Sequence, residues 1–265
     1  MCPHLFLKKK GLKTMKRRLF LSSALTCIMF FELQSTKSAG QTQTEPIQAS
    51  PQTAEFITQT VITKARENET IKRAKLTYKR VYTVDNLNDN EQVTDRDKEE
   101  VVLIESGGRE HLVEKNGKPV REGRSSSQRF DMIKVLEAMV KLDDFIIVKI
   151  EMVDNRPYYV INFKPRPGQR ANGDIEDIIV RSEGVMYVDI EKFYIKRLSA
   201  WMTRPYSRGW GMFNLSRANI EMVLEEFGGI VVMKSLTIVD RYWALWRGDV
   251  FERQNYLYKD YQKKE

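Results

Sequence analysis

Cysteine is almost missing from this chain of 265 residues, with Cys2 and Cys27 its only two, both near the start. A mature protein beginning beyond them has no disulfide framework, thiol nucleophile or cysteine-held zinc site. Histidine is equally scarce: past His4 there is only His111, alternating with Val113 on a predicted strand. A lone strand histidine reads as a structural or surface residue, not as a base or metal ligand. No H-E-x-x-H, G-x-S-x-G, P-loop or G-x-G-x-x-G spacing occurs, so no cofactor is implied and a hydrolase ranks last among the readings. The Asx-rich stretch Asp85–Asp97 also fails as a calcium loop, because its third position is Leu87 and its sixth Asn90. It reads as a solvated hairpin loop.

A net charge of +8 invites a nucleic-acid reading, and the placement of the charge rejects it. Eight of the 44 Lys/Arg and one of the 36 Asp/Glu lie in residues 1–39, leaving 36 bases against 35 acids beyond. The basic start "MKRR" (Met15–Arg18) precedes thirteen mostly apolar residues, Leu19–Phe31, and then the small-residue site "KSAG" (Lys37–Gly40). This is the layout of an export signal cleaved after Ala39, and thirteen residues fall short of the ~20 that span a bilayer. Residues 1–39 are therefore read as a signal peptide and the protein as periplasmic. Residues 40–53, polar with two prolines, are read as a flexible linker, and residues 54–265 as a single domain.

Within that domain, Ile57, Val61 and Ala65 recur at helical spacing over residues 54–69. A second helix over 127–142 stacks Met132, Ile133, Leu136, Met139 and Val140. Most of the rest alternates with the period of strands: about ten of them, joined by short connections that make the sheet chiefly antiparallel. Over 145–153 the alternation puts Ile146, Val148, Ile150 and Met152 on one face. "GQRANGDIED" (Gly168–Asp177) reads as loop. Residues 217–229 fit both periods; the reading taken is a strand turning at Gly228-Gly229.

The hairpin "GVMYVDIEKFYIKRLSAWM" (Gly184–Met202) has two half-apolar faces, whereas a hairpin on a wet surface has one apolar and one charged. A turn at Asp189–Lys192 would put Met186, Val188, Phe193, Ile195 and Trp201 on one of them and Val185, Tyr187, Tyr194, Leu198 and Met202 on the other.

The segments "LTYKRVYTV", "HLVEKNGKP", "YYVINFKPRPG" and "YLYKDYQK", with the G-x-x-Y-V-D opening of that hairpin (Gly184–Asp189), resemble the periplasmic lipoprotein-sorting (LolA/LolB-like) family, in an uncharacterised branch. The resemblance implies an α+β fold: a curled, mostly antiparallel sheet, an incomplete β-barrel, with two helices covering its concave face. It implies a non-enzymatic carrier whose partner is a lipid or lipoprotein acyl chain. The cavity would be lined by Ile57, Val61, Ile133, Leu136, Met139, Met186, Val188, Ile195 and Trp201. Loop residues Arg204, Tyr206, Arg208 and Trp210 mix cations with amphipathic rings, suiting a lipid headgroup or the surface of a protein partner, and peripheral contact of the protein with membranes is a separate expectation. The alternative function is an envelope sensor or adaptor that grips a protein with the same fold.

Overall fold

The computed structural model describes residues 51–106, 109–120 and 131–263. The export-signal reading and most of the linker lie outside the described residues. The first half of the chain forms α1 (Pro51–Lys75), β1 (Leu76–Leu87), β2 (Val93–Ser106), β3 (Arg109–Lys115), β4 (Lys118–Pro119), α2 (Met132–Leu142) and β5 (Asp143–Val153). Then come β6 (Arg156–Pro165), α3 (Asp174–Ile179), β7 (Ser182–Asp189), β8 (Ile195–Met202) and β9 (Tyr206–Arg208). Three long strands finish it: β10 (Phe213–Phe227), β11 (Ile230–Ala244) and β12 (Gly248–Lys263).

All strands join one sheet in the order β4-β3-β2-β1-β12-β11-β10-β8-β7-β6-β5, with β9 beside β10. Every paired neighbour is antiparallel, and the edges β4 and β5 do not meet, so the sheet stays open. The fold is α+β, a curled antiparallel sheet with helices packed on one face. It has a third helix that the sequence reading placed in a loop. The ambiguous stretch is strand β10, and it turns at Gly228-Gly229 as expected.

Helix α1 buries Ala54, Ile57, Thr58, Val61 and Ile62, which share one face at i, i+3, i+4, i+7 and i+8 spacing. It runs six residues past the expected end because nothing in "TIKRAK" breaks it, and it passes directly into β1. Helix α2 starts at Asp131, whose carboxylate accepts the Lys134 amide, and buries Leu136, Met139 and Leu142. Its last carbonyls, on Val140 and Lys141, each accept from the Arg166 guanidinium. Arg166 Nε donates to Asp144 Oδ1 at 3.0 Å, tying the helix end to β5.

The main core joins these helices to Ile161, Phe163, Met186, Val188, Ile195, Leu198 and Met222 of the sheet. A close approach at Gly184 makes this packing possible. A Cβ there would lie 2.1 Å from the Ser199 carbonyl oxygen and 2.5 Å from the Phe163 ring.

The sheet forks at one corner. β11 and β12 pair only from Ser235↔Leu257 onward, whereas β12 continues along β1 to Lys263. A second, smaller core of Leu76, Tyr78, Val101, Ile230, Val232 and Tyr261 fills the fork. On the stretch of β11 that β12 leaves, Asn68 of α1 takes the place of a strand. Its amide donates to the Val231 carbonyl and accepts from the Val231 N–H, both at 2.7 Å. The pair satisfies two backbone groups that would otherwise be half-buried and open.

The alternation read over 145–153 does not survive intact. A bulge at Val148 shifts the β5 register between Ile147 and Lys149. Phe145 and Ile147 enter the core, Ile146 faces away at 50% exposure, and Ile150 and Met152 turn to the helix side but stay exposed.

Candidate functional site

Two cavities lie between the helices and the sheet. The larger, about 550 Å³, has α2 and α3 as its roof and strands β7, β8, β10, β11, β12 and β1 as its floor. Its walls include Met132, Val135, Leu136, Met139, Phe163 and Ile175. Ile178, Ile179, Leu198, Ala200, Ile220, Met222, Leu236 and Ile238 complete the aliphatic part. The smaller, about 420 Å³, lies under α1 against β8, β10 and β11, lined by Val61, Ala65, Ile71, Ile195, Leu224 and Val231. Met132 and Leu136 line both, so the first turns of α2 form the partition between two chambers.

Polar groups are grouped at the margins. Lys192 Nζ pairs with Glu226 Oε2, and Lys64 with Glu67, at the smaller cavity. At the far side of the larger one, Arg80 lies 5.9 Å from the Tyr256 ring, and Tyr258 stands beside them. Along the same sheet face the lining passes from Ile238 to Asp240 on β11 and from Tyr256 to Gln254 and Glu252 on β12. Burial, and next the charge of Glu252, push the Asp240 carboxyl up to about 7. Ser182, the one serine on either wall among the described residues, donates its hydroxyl to the Ile178 carbonyl.

Asp143 closes the seam between α2 and β5 and borders the larger cavity. It is 1% exposed, and neither carboxylate oxygen has a hydrogen-bond partner among the described residues. Burial pushes its carboxyl up to about 7, against the lowering pull of Arg166 and with a further push from Asp144.

Helix α3 builds the rest of the roof. Acidic Asp174, Glu176 and Asp177 sit in its first turn, where the helix dipole favours them. Ile175, Ile178 and Ile179 recur at helical spacing toward the cavity. Lys141 of α2 bonds Glu176 at 2.7 Å, which holds the two roof helices together and keeps the Glu176 carboxyl below its ordinary range.

The residues expected to line a cavity scatter into distinct places. Leu136 lines both chambers, Met139 the larger, and Val61 and Ile195 the smaller. Ile57, Met186 and Val188 are buried in the main core beneath the helices and line neither. Ile133 is half-buried and off both walls, while its neighbour Met132 takes the position expected of it. Trp201 is a correction. It pairs with Glu183 on the sheet face away from the helices, is 41% exposed, and donates its indole N–H to the Glu183 carboxylate. Phe193 adopts a left-handed φ of 54° and Lys196 is an extra residue in the register, so the strand reverses phase before Trp201. That bulge brings Leu198 and Ala200 to the cavity instead.

The loop residues also divide. Arg204 donates to the Val180 carbonyl, the buried Tyr206 hydroxyl bonds Asp174, and Arg208 pairs with the same carboxylate at 2.5 Å. Only Trp210 of the four stands fully in solvent. His111 is exposed on β3. Among the described residues no group of three His, Cys, Asp or Glu could hold a metal ion, and no helix is long and apolar enough to cross a membrane.

No family model and no curated protein matches this sequence. Among solved structures the chain is similar to an outer membrane lipoprotein-sorting protein domain from Vibrio parahaemolyticus, at 9% identity and a TM-score of 0.36. That likeness covers 78% of this chain and 93% of the other. It is similar also to a DUF1329 family protein from Desulfovibrio piger, at 12% identity and a TM-score of 0.30, over 78% and 93% of the two chains. At such scores the chains superpose only loosely, and function is read from this chain's own residues.

Proposed function

We propose that the protein is an exported, non-enzymatic carrier that holds an acyl chain of a lipid or lipoprotein between its helices and sheet. One observation supports this reading: two predominantly apolar chambers, one on each side of the α2 partition. A space of about 550 Å³ is in the range of sites that enclose small ligands, and its methionines adapt to chains of varied shape. Each methylene buried there contributes ~0.8 kcal/mol, so ten of them supply ~8 kcal/mol with no catalytic group needed. Residues 1–39 supply the export signal and periplasmic address in this reading, and 54–265 the carrier domain.

Extraction of the purified protein and mass spectrometry of the extract are expected to yield bound lipid. A fluorescent fatty acid should also bind saturably and be displaced by unlabelled fatty acid. Lipid-free protein that takes up no probe would refute the carrier, and a stoichiometric envelope protein co-purifying in place of lipid would favour the sensor reading.

A further inference from the structure

We propose that the neighbouring tips of the β9–β10 loop and the β11–β12 turn form a membrane-docking point, which enters the interfacial zone of a phospholipid bilayer through Trp210, Met212, Leu245 and Trp246. The ladder between β10 and β11 holds the two tips together: Phe213 is opposite Ala244, and the Leu245 N–H donates to the Met212 carbonyl at 3.0 Å. Trp210 is fully solvent-exposed, Trp246 is 75% exposed, Leu245 64% and Met212 48%. Large apolar groups grouped in water at one point call for a reason.

The backbone adds a second observation. Gly209, Trp210 and Gly211 all have left-handed φ values, of 64°, 58° and 84°. A tryptophan is disfavoured there, by about 1 kcal/mol or more, and flanking glycines form the turn without its help. The strained conformation points the indole away from the protein, where folding gains nothing from it.

Moving back from the tips, the side chains change in the order that a bilayer boundary requires. The apolar four come first. Next are the half-buried rings of Phe213 and Tyr242, 5.6 Å apart, with the buried Tyr206 packed behind Phe213 at 6.3 Å. Charged groups follow, largely neutralised. Arg208 pairs with Asp174, Arg217 with Glu91, Arg241 with Asp89 and Asp249, and Arg247 folds back onto Tyr242 and Glu252. Between Thr203 and Ile220, and between Arg241 and Gly248, the sequence has no acid. Apolar tip, aromatic belt and ion-paired collar match acyl region, interface and headgroups. Because the collar is close to neutral, a zwitterionic surface suffices and added salt changes little. The ties of Tyr206 and Arg208 to Asp174 place this point beside α3, whose half-exposed Ile175 lines the larger cavity.

Tryptophan quenching in the full-length chain tests the inference, with vesicles of phosphatidylcholine brominated on its acyl chains. A W201F/W243F variant, keeping Trp210 and Trp246, is expected to shift blue and lose most of its emission. A W210F/W246F variant, keeping the other pair, should keep its emission. This readout is decisive because Leu19–Phe31 could by itself hold the chain on vesicles. Equal quenching of both pairs, or no quenching of the Trp210/Trp246 pair, overturns the proposal. The inference goes beyond the carrier reading and does not depend on it: fatty-acid uptake in solution is unaffected by tip variants, and its failure would leave the quenching result standing.

Discussion

Asp143→Asn perturbs the least comfortable side chain in the roof. In the folded chain burial holds the Asp143 proton up to about pH 7, whereas the ordinary value is 3.8. Between these limits the folded state binds more proton than the unfolded one, so stability falls as pH rises through the window. The slope approaches 1.4 kcal/mol per pH unit, and the whole window is worth about 4 kcal/mol. Asp240 adds a second, similar contribution because its carboxyl is also raised to about 7. The carboxyls held low, on Glu176, Glu226 and Asp249, gain or lose protons mostly below this range. The wild-type chain is therefore expected to be more stable at pH 5 than at pH 8, the reverse of a protein stabilised by ionised carboxylates. Asparagine keeps the shape without the charge, so the variant should roughly match wild type at pH 5. At pH 8 it should exceed wild type by about 2–4 kcal/mol. Urea melts followed by circular dichroism at pH 5, 6, 7 and 8 measure both slopes. A variant with the wild-type slope, or a wild-type chain that gains stability toward pH 8, would refute the reasoning.

Three further changes address the packing. Gly184→Ala forces its methyl into the Ser199 carbonyl and Phe163, and thermal melts should register a loss of about 2–3 kcal/mol, with weaker fatty-acid binding as Phe163 shifts. Asn68→Ala opens both backbone groups of Val231, for about 1–3 kcal/mol, and hydrogen exchange should accelerate at Val231 while the β10 centre stays protected. Leu136→Asp puts a carboxylate on the partition at a site 1% exposed, and loss of fatty-acid binding or of folding is expected; unchanged behaviour in both would mean that α2 does not seat there.

Most of the strands were legible because alternation over long, short-connected segments leaves few alternatives; residues 217–229 fitted both periods, and the strand reading with its Gly228-Gly229 turn is the one the fold adopts. The phase of a strand was harder to read. One extra residue at Val148 and another at Lys196 each exchange the two faces, and neither has a local sequence signal strong enough to mark it. Trp201 was assigned to the wrong face for that reason alone. Helix α3 could have been found: "DIEDII" carries acids in the first turn and isoleucines at helical spacing, but six residues are too few to stand out against a polar loop. The chamber walls contributed by Phe163, Ile220, Leu236 and Ile238 come from strands far apart in sequence, and only the pairing of the sheet brings them together. The partition role of Met132 and Leu136 likewise depends on where α1 lies, which α2 alone does not encode.

The surrogate pairing by Asn68 has a further consequence for any opening of the α1 chamber. If the helix swings out to admit a guest, two main-chain groups on β11 are left bare, and this short rim becomes a template on which another extended segment could zip up. In a carrier of the kind proposed, lifting the cover and inviting misassembly would be the same event, which favours brief openings and a quick return of one carboxamide to its catch.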